Sequence, residues 1–394
     1  MIFNEALYPL FLIIAVSVFF RVPIAWRAGW LFLSGLLFYA YYADVFVLLF
    51  GLEALIVWGL MKRWRSRKDV FVFGLIGCVL ILAYYKYRNM LILSWFHVQS
   101  SWHPGPLPEL ETLILPLAIS FFTFEFIHYL IDMHQNKIEK HSLTEFMAFA
   151  LFFPTMIAGP IKRFQGFVPQ IQNARFEWQN IQIGVQRILI GAAKKIIIAD
   201  SMDLWIAPLQ SGELAAAEPG RLWIALLAYS IKIYVDFSGY SDIAIGSARL
   251  FGIKVPENFD WPYLQANIAQ FWRHWHISLT SWITDYVYKS LGGSRKGFVM
   301  TLVNTLIAMA VSGIWHGAAW HFMIWGLYHG FLLGIHRIWR EKIKPMMPWL
   351  ESWPRFYQGL CTVLTFFCVS IGWGLFIMPV SRFWELLNRL FSFV

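Results

Sequence analysis

Charge is what this chain has least of. Charged residues fill 14% of its 394 positions, against about 25% in an ordinary soluble domain. Too few are left to clothe a surface that faces only water. Cysteine is scarcer still: Cys78, Cys361 and Cys368 are the only three, each inside an apolar segment. Neither a disulfide framework nor a metal-ligand spacing follows from them, and their bland surroundings argue against a thiol acyl-enzyme. The chain also lacks a Walker phosphate loop, a dinucleotide fingerprint on a strand, an HExxH pair and a nucleophile-elbow serine, so several familiar enzyme classes drop out. No fixed-period repeat or low-complexity tract stands out, and a composition so poor in charge removes disorder, collagen and coiled coil.

Apolar residues are what it has instead. They make up 58% of the chain, aromatics alone 19%, with 21 Trp and 36 Phe. Such a composition fits a protein whose solvent is partly lipid and headgroup. The net charge of +9 fits basic cytoplasmic loops, with no nucleic-acid partner needed. Apolar segments fall at about 6–20, 28–43, 45–61, 70–96, 112–131, 145–161, 181–199, 222–250, 297–336 and 356–381. A span takes about 20 residues, and 297–336 is long enough for two. The expectation is an all-α polytopic bundle of roughly ten or eleven spans with re-entrant or interfacial helices. It forms a single integral-membrane domain over 1–394, with a motif-bearing core at about 115–338. The first stretch lacks a basic n-region and a clear cleavage site, so it is read as a retained span.

Lysine and arginine orient the bundle. The densest basic loop, KRWRSRK at 62–68, is expected in the cytoplasm, and two spans back Arg21 and Arg27 fall on the same side. The loop at 100–111 has no Lys or Arg and is expected outside. Segment 297–336 carries no Asp, Glu, Lys or Arg but is flanked by Arg295, Lys296, Arg337 and Arg340. Two basic flanks require an even number of crossings, which predicts a hairpin turning near 314–320.

Ionisable groups at bilayer depth are costly and therefore candidates for function. Glu53, Lys86 and Arg88 are read as packing or snorkelling residues. Three stretches are more polar than that. In SGIWHGAAWHFMIWGLYHG (312–330), small residues let backbones approach, Trp315 and Trp320 are expected to wall a site, and His316 sits among them. A neutral imidazole there can accept a hydroxyl proton as a general base. His321, His329 and His336 are assigned packing or interfacial roles. In FWRHWHISLTSW (271–282), a helix would place Trp272, His276, Leu279 and Ile283 on one face, with Arg273 three residues from His276. It reads as an amphipathic interfacial helix, and equally as a basic, aromatic wall for an anionic acyl donor. In YVDFSGYSDIAIG (234–246), Asp236 and Asp242 flank a Ser/Gly/Tyr turn that could bond neighbouring helices, line a cavity or hold an ion.

Together these stretches resemble the membrane-bound O-acyltransferase family, in its bacterial alginate O-acetylation branch. The resembling runs are LPLAISFFTFEFIHYLID (115–132), FFPTMIAGPIKR (152–163), YVDFSGYSDIAIG, NFDWPY (258–263), FWRHWHISLTSW with DYVYKSLGGSR (271–295), and SGIWHG (312–317), in the family's order. The resemblance implies a helical bundle pierced by a tunnel, where a cytosolic thioester, acetyl-CoA or an acyl carrier protein, meets an acceptor hydroxyl. It places the family's catalytic histidine on His316 and its second histidine on His276. Arg273, Trp275, Trp315, Asp285, Asp236, Lys162 and Arg163 are then expected to contact substrate or donor. The reaction needs no metal and no bound cofactor. The acceptor would be an envelope polysaccharide, with a periplasmic or surface acyltransferase as partner, in a multi-pass protein of the bacterial cytoplasmic membrane. Alternatives are D-alanyl transfer to teichoic acid from a carrier protein, or a non-catalytic acyl-relay channel. The chain is shorter than usual for that branch, with little sequence after 356–381, which bears on partner contacts and on the acceptor.

Overall fold

The computed structural model describes residue 5 and residues 7–100, 108–210, 212–347 and 354–392. Most of the loop expected outside, 101–107, lies beyond them. Among the described residues the chain is helical, with no strand and one isolated bridge. Two compact units divide it: Met1–Ile190 with Tyr240–Pro256, and Gly191–Gly239 with Glu257–Val394.

The first unit holds α1 (Leu7–Arg21), α2 (Arg27–Ala43), α3 (Phe46–Trp64) and α4 (Lys68–Leu82), which runs through a π turn into α5 (Arg88–Ser100). It continues with α6 (Ile119–His134), α7 (Leu143–Ala150), α8 (Phe164–Asn173) and most of α9 (Trp178–Ala193). A reciprocal capping box of Ser142 and Glu145 starts α7. Its core is aromatic, with Phe19, Phe126, Phe146, Phe149, Phe152 and Phe153 fully buried. Between α7 and α8 the backbone leaves helix while Leu151, Phe152, Phe153, Met156 and Ile161 stay buried. Irregular backbone survives at membrane depth only when protein covers it. Here α2 covers it closely: a Cβ on Gly35 would lie 1.8 Å from the Leu151 carbonyl oxygen.

The second unit contains α10 (Asp203–Gln210), the larger part of α11 (Pro219–Leu250), α12 (Ile268–His274) and α13 (Ile277–Ile283). It ends with α14 (Phe298–His316), α15 (Trp320–Ile338), α16 (Pro354–Ile377) and α17 (Val380–Phe391). The hairpin expected in 297–336 is α14 and α15, turning at Gly317–Ala319. Glycines let the two backbones touch. A Cβ on Gly313 would sit 2.2 Å from the Phe322 carbonyl oxygen, and one on Gly326 2.2 Å from that of Met309.

By length and composition, four described helices can cross a membrane: Lys68–Ser100, Pro219–Leu250, Phe298–His316 and Pro354–Ile377. Leu7–Arg21 is apolar but shorter. The bundle is therefore all-α and polytopic, as composition required.

One local expectation is corrected. The Ser/Gly/Tyr turn read in 234–246 is absent, because α11 is an unbroken helix from Pro219 to Leu250. Its polar residues find partners on the α9 side. In the first unit Arg187 pairs with Asp242 at 2.8 Å, and a Cβ on Gly246 would lie 2.6 Å from the Gly184 carbonyl oxygen. In the second, Lys195 pairs with Asp236 at 3.0 Å, and a Cβ on Gly239 would lie 2.8 Å from that of Gly191. Close small-residue contact with charges paired across it keeps the helix intact, since no backbone group needs to be released.

Candidate active site

The site grows from two interruptions of helix in the second unit. Asn267 starts α12 by accepting the Gln270 backbone N–H on its side chain. The single helix expected across 271–283 does not form. It stops at His274, Trp275 is extended, and His276 takes φ 44° and ψ 54° before α13 begins. That left-handed conformation is uncommon for a residue with a side chain.

A distant loop explains the break. The NFDWPY segment lies alongside, with Phe259 and Trp275 forming an antiparallel bridge. The Asp260 N–H donates to the His274 carbonyl at 3.1 Å, and the Ile277 N–H donates to the Asn258 carbonyl at 2.9 Å. Ser278 Oγ donates to Asn258 Oδ1 at 2.6 Å. These bonds replace helical ones, so periodicity within 271–283 was overruled by partners it could not reveal.

His276 is fully buried, and neither ring nitrogen has a hydrogen-bond partner among the described residues. Phe237 meets its ring edge to face at 4.7 Å, and Trp315 at 5.9 Å. Neither seven-residue helix beside it is long enough to span a bilayer. Burial first, and then the nearby His316, hold its imidazole well below the usual value, so it is neutral at pH 7.

His316 is the last residue of α14 and is half-buried. Three rings enclose it: Trp315 at 4.9 Å, Trp325 at 5.2 Å and Phe376 at 5.2 Å, centre to centre and all near perpendicular. Gly317 is required next to it, because a Cβ there would overlap the Phe322 ring at 2.0 Å. A base kept partly open in a water-poor aromatic setting is what hydroxyl activation calls for. Trp320, expected as a second wall, is 47% exposed and leaves that role to Trp325 and Phe376.

The other expected residues divide by location. Trp275 is buried among Phe259, Phe271 and Trp373, with centres at 5.1, 5.5 and 4.8 Å. Arg273 is exposed, and Asp285 is exposed and paired with Lys289 at 2.7 Å. Asp236 is held by Lys195, which also pairs with Asp200 at 2.6 Å. Lys162 and Arg163 belong to the first unit. There Lys162 is fully buried against Glu125 at 2.6 Å, with its ammonium over the Phe149 ring at 4.6 Å. His321 follows its packing assignment, donating from Nδ1 to the Leu375 carbonyl at 2.9 Å. Asn258, Trp325 and Phe376 were not singled out by sequence reasoning. Only the presence of NFDWPY among the family-like runs pointed towards Asn258.

A half-buried histidine thus ends one arm of a helical hairpin, and a second, on a clamped break, meets the same Trp315 indole. A sequence profile of the membrane-bound O-acyltransferase (MBOAT) family matches residues 76–379. The chain belongs to this family and is an O-acyltransferase of the membrane. It is 34% identical to the probable alginate O-acetylase AlgI of Pseudomonas aeruginosa, over 98% of this chain and 73% of that protein. It is 33% identical to the peptidoglycan O-acetyltransferase of Helicobacter pylori, over 88% and 70%. It is also 32% identical to the teichoic acid D-alanyltransferase of Bacillus subtilis, over 70% and 71%.

Proposed function

We propose that the protein moves an acetyl group from a cytosolic thioester, acetyl-CoA or an acyl carrier, to a hydroxyl of an extracytoplasmic envelope polysaccharide or of a partner acyltransferase. It does so from the bacterial cytoplasmic membrane. The observation that carries this reading is the half-open His316 ring enclosed by Trp315, Trp325 and Phe376. Similarity to the alginate and peptidoglycan O-acetylating relatives supports the choice of acceptor class.

In this mechanism His316 takes the proton of the acceptor hydroxyl as its oxygen attacks the thioester carbonyl carbon. The C–S bond then breaks, and the departing thiolate recovers the proton. Most of the acceleration comes from holding thioester and hydroxyl together and from general-base help. His276, in contact with the same Trp315 indole, orients the reacting groups. Exposed Arg273 is suited to meet the phosphates of a cytosolic donor.

The test is to incubate the purified full-length protein with labelled acetyl-CoA, with and without candidate glycans. Label on the glycan, lost in His316→Ala, is expected. Label released only as acetate in both proteins would overturn the reading. D-alanyl transfer is the second reading, favoured by the similarity to the teichoic acid enzyme. It would show as label arriving only from a D-alanyl carrier protein.

A further inference from the structure

Three rings in the second unit contact one another in a closed set. His329 and Trp272 lie 5.0 Å apart, His329 and Trp325 5.1 Å, and Trp272 and Trp325 5.7 Å, at interplanar angles of 86°, 72° and 71°. His329 and Trp325 have no exposed surface, and Trp272 is 5% exposed. These rings carry four buried polar atoms: both nitrogens of His329 and the indole Nε1 of each tryptophan. None has a hydrogen-bond partner among the described residues. Buried polar atoms in folded proteins are nearly always satisfied, by ordered water where protein does not serve. A buried water typically makes about three hydrogen bonds.

We propose that His329 is a positioning residue: with the indole N–H groups of Trp272 and Trp325 it holds one buried water, and this knot fixes Trp325 against His316. The chemistry closes without a charged group. Each indole can only donate, and either neutral tautomer of the imidazole offers one lone pair. A single water accepts from both indoles and donates to that lone pair. Trp325 and His329 stand four residues apart on α15 and therefore share a face. The same Trp325 meets His316 edge to face at 5.2 Å and 89°. The seat of the imidazole is shaped for it on the far helix: a Cβ on Gly372 of α16 would lie 2.8 Å from His329 Nε2. A purely packing role would be met by an apolar ring, with no polar atoms to desolvate.

This rests on the reading of His316 as the base, and the experiment separates the two. Acetyl transfer from acetyl-CoA is measured for the purified full-length protein and for each variant, per folded molecule, with dispersity and thermal unfolding as controls. His329→Phe keeps a ring and removes both nitrogens. It is expected to lower kcat on the order of 10- to 100-fold, as small misplacements near chemistry do, with the donor KM within about twofold. His329→Gln, which can donate and accept, should recover part of that loss. Gly372→Ala displaces the imidazole without deleting a polar atom and should reproduce it, which also covers failure of His329→Phe to fold. Trp325→Phe combined with His329→Phe or His329→Gln should cost less than the product of the single effects, because both act through one water. Wild-type kcat in His329→Phe or Gly372→Ala, or effects that multiply, would overturn the proposal while leaving His316 intact. Activity surviving in His316→Ala would instead remove the reading beneath it.

Discussion

Trp315 and His276 meet edge to face with ring centres 5.9 Å apart, and the same indole lies 4.9 Å from the ring of His316. One side chain thus ties the break between α12 and α13 to the tip of the α14–α15 hairpin. The two histidines depend on separate pieces of backbone, so damage to either piece should reach the chemistry.

His316→Gln keeps a polar side chain of similar reach but cannot take up a proton. Turnover is expected to fall by about 100- to 10,000-fold, the usual contribution of a general base, with little change in thermal stability. Rates with purified protein and labelled acetyl-CoA check this. A loss confined to KM would assign His316 to binding.

Asn258 holds the break with its carbonyl and its side-chain oxygen. Asn258→Ala leaves a buried hydroxyl on Ser278 short of this acceptor, at a cost of about 1–3 kcal/mol. Activity should fall further than that loss of stability explains, because one of the two Asn258 bonds beside His276, whose φ is 44°, is gone. Comparison of melting temperature with kcat for Asn258→Ala and Ser278→Ala decides it. Both variants keep the Asn258 backbone carbonyl bond to Ile277 and remove the same side-chain bond, so their losses should be similar.

Gly313 leaves no room for a side chain against the Phe322 carbonyl. Gly313→Val should push α14 from α15, cost roughly 1–3 kcal/mol or more by overpacking, and displace His316. Reduced yield and lost transfer are expected together. Gly334→Ala in the same hairpin, where the nearest atom to the added carbon is 3.6 Å away, should be near neutral in both.

Lys162 and Glu125 form a buried pair in the first unit, with side chains 2% and 6% exposed. Removing one partner strands the other, so Lys162→Met alone should lose about 3–5 kcal/mol. Lys162→Met with Glu125→Leu should recover much of it, since an apolar pair of similar volume is often tolerated. The double variant also tests the donor contact expected of Lys162. An unchanged KM for acetyl-CoA would assign the lysine to the fold alone.

Membrane character, the helical class and the hairpin at 297–336 were all legible in the chain itself. Each rests on local quantities. Composition reports the solvent a surface must face, and an uncharged stretch between basic flanks must cross lipid an even number of times. What needed three dimensions was every feature whose cause lies far along the chain. The helix through 271–283 breaks because a loop from 258–260 offers its residues other hydrogen bonds. The segment at 234–246 stays helical because Asp236 and Asp242 find Lys195 and Arg187. A buried backbone or carboxylate settles on whichever partner the packed helices bring within about 3 Å, and no periodicity in one segment records which helix that will be.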